Sequence, residues 1–192
     1  NTFYGKKGEK GMSLLVFFVF FVLGSALGMF MQTASLEEEF TGAAAAAAFL
    51  GRDWTGVMPS VGSISGFLRG IPYLPTMLCP DPVLQYKLFM LINSAAYALI
   101  PLAAFRLSDR LGVEKLWQRL IITALCGIFP SVLIYSHYLL SEPLAAVFVM
   151  LLLLVIFRRE KEGGKKAGLF FASVISGLLT TGAYFLSPAC IG

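Results

Sequence analysis

Glu37, Glu38 and Glu39 are three consecutive carboxylates placed between a long apolar run and a tract of six alanines. Carboxylates this close raise one another's pKa. A carboxyl group tuned in that way can act as a general base or hold a divalent cation through its oxygens. On a helix, successive residues diverge by about 100°, so at most two of the three can face one site. A competing account is structural: Ser35 as N-cap with Glu38 three residues on is a capping-box spacing, and carboxylates favour the positive end of a helix dipole.

Four further residues could join such chemistry. Glu142 stands directly before Pro143, a natural first helical position, so it is either an acidic helix start or an ionisable group at the mouth of an apolar bundle, where function is the default reading. Arg69 and Lys87 could each hold a phosphate or simply contact a headgroup. His137, the one histidine of the chain, could be a ligand or base, or a plain hydrogen-bonding group.

The elements that must position these residues follow from composition. Of 192 residues, 57% are hydrophobic and 14% charged, too little charge to cover a water-soluble domain, so the expected solvent is a bilayer. The net charge of +4 then reports where Lys and Arg lie relative to a membrane rather than a nucleic-acid partner. Cys79, Cys126 and Cys190 have no metal-ligand spacing, which argues against a structural zinc site. The chain opens on Asn1 and stops straight after an apolar segment, and we read it as part of a longer protein.

The apolar runs are continuous rather than alternating, which predicts helices and not barrel strands. The expected fold is an all-α, polytopic transmembrane bundle. Five segments approach the roughly 20 residues a crossing needs: Ser13 to Met31, Tyr86 to Phe105, Leu120 to Tyr135, Pro143 to Phe157 and Leu169 to Ser187. The third and fourth meet at a tight "SHYLLSE" turn. Residues 1–12 form an expected cytoplasmic tail, and residues 13–192 the membrane domain.

With the amino terminus inside, twelve Lys and Arg fall on the inner face and only Arg52, Arg69 and Lys87 on the outer. That is the positive-inside pattern at every loop. There, Asp109 with Arg106 and Arg110 reads as an ordinary inner-loop charge cluster. The first segment could alternatively be a secretory signal, but its apolar length exceeds the usual 7–15 residues. Either reading leaves the three glutamates outside.

The first outer loop, residues 32–85, is long enough to be functional. "FTGAAAAAAFL" favours a helix, alanine being the best helix former. "IPYLPTMLCPDP" is apolar and braced by prolines. Both are expected along the membrane surface, with Trp54 and Tyr73 at headgroup level. Asn93, inside the second span, is expected to bond another helix. No phosphate-binding glycine loop or GxSxG is present, so nucleotide and serine-hydrolase chemistry have no support.

Taken in order, the first apolar helix, the acidic pair Glu38-Glu39, an Ala-rich helix, "GRDW", the long loop, "YKLFMLINSAAYALIPLAAFRLSDRLG" and "LLSEPLAAVFVMLLLLVIF" resemble the polytopic GT-C glycosyltransferases. The branch is that of glycosyltransferase family 39, bacterial relatives of protein mannosyltransferases and aminoarabinose transferases. The resemblance spans nearly the whole chain but only the amino-terminal part of such enzymes. It implies transfer of a sugar from a polyprenyl-phosphate donor to a glycan, lipid or protein acceptor, at the outer face of a bacterial cytoplasmic membrane. It assigns the catalytic carboxylate to the pair Glu38 and Glu39, with Glu38 where the family commonly has Asp, and makes Glu142 in "SEP" a second acidic site residue. A divalent metal ion is a compatible cofactor, with Glu38 and Glu142 as candidate ligands. The rival readings are a transporter or flippase-like protein, whose polar groups belong near the bilayer midplane, and a non-catalytic membrane subunit.

Overall fold

The computed structural model describes residues 6–30, 40–52, 70–129, 142–161 and 175–181, and among them there is no strand. The chain is all-helical, as the unbroken apolar runs imply. Helix α1 (Lys6–Phe30) contains no proline. Helix α2 (Phe40–Phe49) carries the alanine tract and ends where Gly51 takes φ +75°. Its last carbonyls are closed by Gly51 N–H to Ala48 O and Arg52 N–H to Ala47 O, the paired bonds of a Schellman stop.

Ile71–Leu78 forms a 3-10 helix with Pro72 and Pro75 inside it, and Helix α3 (Pro82–Arg110) follows at once. The Asp81 side chain accepts the Val83 N–H at 2.9 Å, with Pro82 at the first helical position, where its missing N–H costs nothing. Gly112 at φ +85° ends α3 by a second Schellman pair, Gly112 N–H to Asp109 O and Val113 N–H to Ser108 O. Helix α4 (Leu116–Ile128) stops before Pro130, and Phe129 is already extended at ψ 125°, as a residue preceding proline prefers. Helix α5 (Glu142–Lys161) and a helical stretch at 175–181 complete the described chain.

These limits revise the expected spans. The second begins at Pro82 rather than Tyr86 and runs to Arg110, so the loop expected to end at 85 ends four residues sooner. The third is shifted towards the amino terminus, starting at Leu116 instead of Leu120 and leaving helical geometry at Phe129. The fourth extends at both ends. The "SHYLLSE" turn lies outside the described residues, and the fifth span is described only at 175–181. Among the described residues two helices are long and apolar enough to cross a membrane, Gly8–Met29 and Pro82–Arg110.

α3 is the hub. α1 runs antiparallel to it, since Phe20 meets the Tyr97 ring at 6.1 Å and Gly28 lies by Met90. A Cβ on Gly24 would come within 2.9 Å of that same ring. Gly24 and Gly28 form a GxxxG pair, which lets helices approach without a large loss of side-chain packing. α4 lies parallel to α1. Gly127 of α4 is covered so closely by Phe20 that a Cβ there would overlap the ring, and the Tyr97 hydroxyl donates to Gly127 O at 2.7 Å. That bond satisfies one of the carbonyls orphaned at the end of α4. Ala96, Ile100 and Val147 join α3 to α5.

At the other end of the hub the helices are tied by charge. Arg119 of α4 reaches Asp109 of α3 at 2.7 Å and Glu9 of α1 at 3.3 Å, and its Nε donates to Val113 O at 2.6 Å. Arg110 donates to Leu154 O on α5. Asp109 therefore belongs to an inter-helix network and not to a cluster confined to its own loop.

Gly70, just before the 3-10 helix, sits on α2. An added Cβ would lie 2.5 Å from Ala46 N and 2.7 Å from the Ala45 carbonyl carbon. Both are backbone atoms and cannot swing aside. Gly70→Ala should therefore destabilise the protein by about 1–3 kcal/mol, the range for overpacking. The lowered midpoint should show in thermal unfolding of the detergent-solubilised chain; an unchanged midpoint would mean that α2 and the 3-10 helix do not pack this closely.

Candidate site at the Lys87 end of the bundle

The alanine tract is buried: Ala44 to Ala47 have no exposed surface. Ala43, Ala46 and Ala47 share a cluster with Tyr73 and Met77 of the 3-10 helix and Phe89 of α3, and Leu144 of α5 packs against it. Small side chains are required there because Gly70 and the 3-10 helix press directly on the α2 backbone. Neither segment lies loose on a surface. Tyr73, expected at headgroup level, is instead 2% exposed, its ring edge-on to Phe89 at 5.2 Å and its hydroxyl donating to Asn93 Oδ1 at 2.6 Å. A fully buried Asn93 needs partners, and the expected bond is present, made to the 3-10 helix of the long loop.

That cluster holds the chain next to three of the candidate residues. Glu39 immediately precedes α2, whose Ala43 enters the cluster one helical turn later. Glu142 opens α5, and Leu144, two residues on, packs against the same cluster. Lys87 is on α3, two residues before the cluster member Phe89, and is exposed. The chain thus brings the residue following the acidic triplet, the acidic start of α5 and a lysine to one end of the bundle, opposite the Arg119 network.

Glu37, Glu38, Glu39, Arg69, His137 and Trp54 lie outside the described residues. Among the described residues no three His, Cys, Asp or Glu side chains converge in a way that could hold a metal ion. The metal proposed on Glu38 and Glu142 involves groups beyond that set.

Sequence reasoning missed an apolar recess of about 450 Å³ lined by Phe21 of α1, Pro75 and Thr76 of the 3-10 helix, and Leu88, Leu91, Ile92 and Ala95 of α3. The i, i+3, i+4, i+7 spacing of the α3 residues marks one helix face and could have suggested a shared wall, though not that it faces a cavity. Comparison with protein-family models, with curated proteins and with solved structures finds no match.

Proposed function

We propose that the chain is the amino-terminal, membrane-spanning part of a bacterial glycosyltransferase that moves a sugar from a polyprenyl-phosphate donor to an acceptor at the outer membrane face. The observation that carries this reading is that the starts of α2 and α5 and Lys87 of α3 lie at the same end of the bundle. The opposite end holds Arg119 with its carboxylates Asp109 and Glu9, and Arg110 bonded to the Leu154 carbonyl. The membrane setting is supported by α1, whose Leu14, Leu15, Phe18, Val19 and Val22 are all more than half exposed; in water such a flank would be an open apolar patch, whereas in a bilayer it is ordinary. With the Arg119 end cytoplasmic, the positive-inside rule is obeyed and the Lys87 end faces out.

In the reaction, an acceptor hydroxyl oxygen attacks the anomeric carbon of the donor sugar. The bond from that carbon to the phosphate oxygen breaks, the electron pair leaves with polyprenyl phosphate, and the hydroxyl proton passes to the Glu38 carboxylate. This reading makes Glu39 and Glu142 the further acidic groups of the site, and Glu142 with Glu38 could carry a divalent ion. It assigns Arg69 and Lys87 the role of stabilising the departing phosphate and gives His137 a further polar contact with the substrate. A transport reading places polar groups near mid-membrane. Asn93 and Tyr97, near the middle of α3, are bonded to Tyr73 and Gly127, while the buried hydroxyls of Ser25 and Thr123 have no hydrogen-bond partner among the described residues and keep that reading as the rival.

Two measurements test the proposal. In cells, Gly163→Cys in a background with Cys79, Cys126 and Cys190 replaced by Ser should be shielded from an impermeant thiol reagent added outside and labelled once the membrane is opened; labelling in intact cells would reverse the topology. With the full-length protein in proteoliposomes, a labelled polyprenyl-phosphate sugar should lose its sugar to a cell-envelope acceptor fraction and leave polyprenyl phosphate. Intact donor moving between leaflets without release of that product would favour the flippase reading.

A further inference from the structure

We infer that, while no sugar donor occupies Lys87, the recess between α1, the 3-10 helix and α3 seats an acyl chain of an anionic bilayer phospholipid, with the phosphate of that lipid on Lys87. The inference rests on the membrane-spanning half of the proposed function and not on sugar transfer. Six of its seven lining side chains are apolar, and the one hydroxyl, Thr76 Oγ1, is already committed to Tyr73 O at 2.6 Å. A recess of this composition offers water no partners, since a bound water needs two to four polar contacts. Within a bilayer the available filler is hydrocarbon.

The headgroup follows from position along α3. Leu88, Leu91, Ile92 and Ala95 descend one face of the helix from its Pro82 end. Lys87 precedes Leu91 by four residues, and residues so spaced are neighbours on a helix surface. It is exposed at the level where α3 emerges. Asp81, the nearest described carboxylate in sequence, has a side-chain oxygen engaged by the Val83 N–H. A chain lying in the recess therefore leads its headgroup to a cation. Chain exchange between recess and bulk lipid is nearly neutral, so selectivity comes from charge, and one lysine near an anionic headgroup favours it by about fivefold.

The test uses the full chain in phosphatidylcholine nanodiscs doped with either phosphatidylglycerol or phosphatidylcholine bearing a photoreactive diazirine on the acyl chain, with no sugar donor present. Labelled residues are mapped by mass spectrometry. Phosphatidylglycerol should label the Pro75–Thr76 and Leu88–Ala95 segments about fivefold more than phosphatidylcholine. Ala95→Trp, which fills the recess, should cut labelling there severalfold by both probes, and Leu91→Phe serves if that variant does not fold. Lys87→Gln should equalise the probes without emptying the recess. Labelling spread evenly over the exposed flank of α1, or unchanged by both filling variants, would overturn the site. Equal labelling by both probes in the parent would overturn the headgroup assignment. Displacement of the label by polyprenyl phosphate but not by unlabelled phosphatidylglycerol would give the recess to the sugar donor instead. Because labelling is read without transfer, an inactive protein that still labels would refute only the proposed reaction.

Discussion

Glu38→Gln should leave the full-length protein folded and inserted while slowing sugar transfer by roughly 10²–10⁴-fold, the usual worth of general-base help. The substitution keeps side-chain size and much of the hydrogen bonding but removes the proton acceptor. If Glu38 only decorates a helix start, the loss is about 0.3–1 kcal/mol of stability and no selective loss of rate. The two accounts therefore separate in one experiment, with transfer rate read beside thermal stability. Glu38→Asp is the informative companion. It restores the residue that the resembled family commonly carries, but a base retracted by one methylene must still reach its proton, and small misplacements cost much in rate. Retained transfer in Glu38→Gln together with loss in Glu39→Gln would move the base by one residue; retention in both, and in Glu37→Gln, would remove the cluster from the chemistry.

The structural basis for expecting an effect there is the placement of α2. Six alanines predict a helix from sequence alone, and the helix is present at Phe40–Phe49. What composition could not show is that this helix is buried. A stretch of alanine has no amphipathic face to indicate a partner, so its burial depends on Gly70, Tyr73 and Met77, residues that read as loop because prolines punctuate them. Pro72 stands at the start of that 3-10 helix and Pro75 inside it, and eight residues is a long run for a 3-10 helix. Tyr73 was legible as an interfacial aromatic, and the Asn93 bond that draws it inward was legible only from the Asn93 side.

Other signals were present and outweighed by hydropathy. Pro130 implies that Phe129 leaves helical geometry, yet the apolar run continues past it and so concealed the end of α4. "GSALG" fits the small residues of a signal-peptide cleavage region, and it also contains the GxxxG pair Gly24 and Gly28. Packing of that pair along Ser94, Tyr97 and Met90 makes α1 a structural member of the bundle, and its apolar outer flank then suits a retained helix. The acidic triplet itself, together with Arg69 and His137, lies outside the described residues, and what the structure shows is the chain beside it: Ala43, four residues beyond Glu39, and Leu144, two beyond Glu142, meet at one cluster.

The second large effect is expected at the opposite end. Arg119→Leu should destabilise the bundle by about 2–3 kcal/mol, because one guanidinium serves Asp109, Glu9 and the Val113 carbonyl, and charge-assisted hydrogen bonds are worth about 1.5–3 kcal/mol each when shielded. The sum is discounted because the two carboxylate side chains are 38% and 44% exposed, although Arg119 itself is 15% exposed, and pairs with exposed partners are screened. Arg119→Lys keeps the charge but not the planar fork that reaches three oxygens at once, so it should recover only part of the loss. The carboxylate at the end of α3 makes this site more sensitive than a surface pair, since Asp109 faces the negative end of its own helix dipole and depends on a cation from α4. A double-mutant cycle of Arg119→Leu with Asp109→Asn, read by thermal unfolding in detergent, should show the two changes costing less together than the sum of each alone. Strict additivity would mean that the two side chains do not hold α3 and α4 together, and the register of α4 would then rest on the Arg119–Glu9 pair and the Phe20–Gly127 contact with α1.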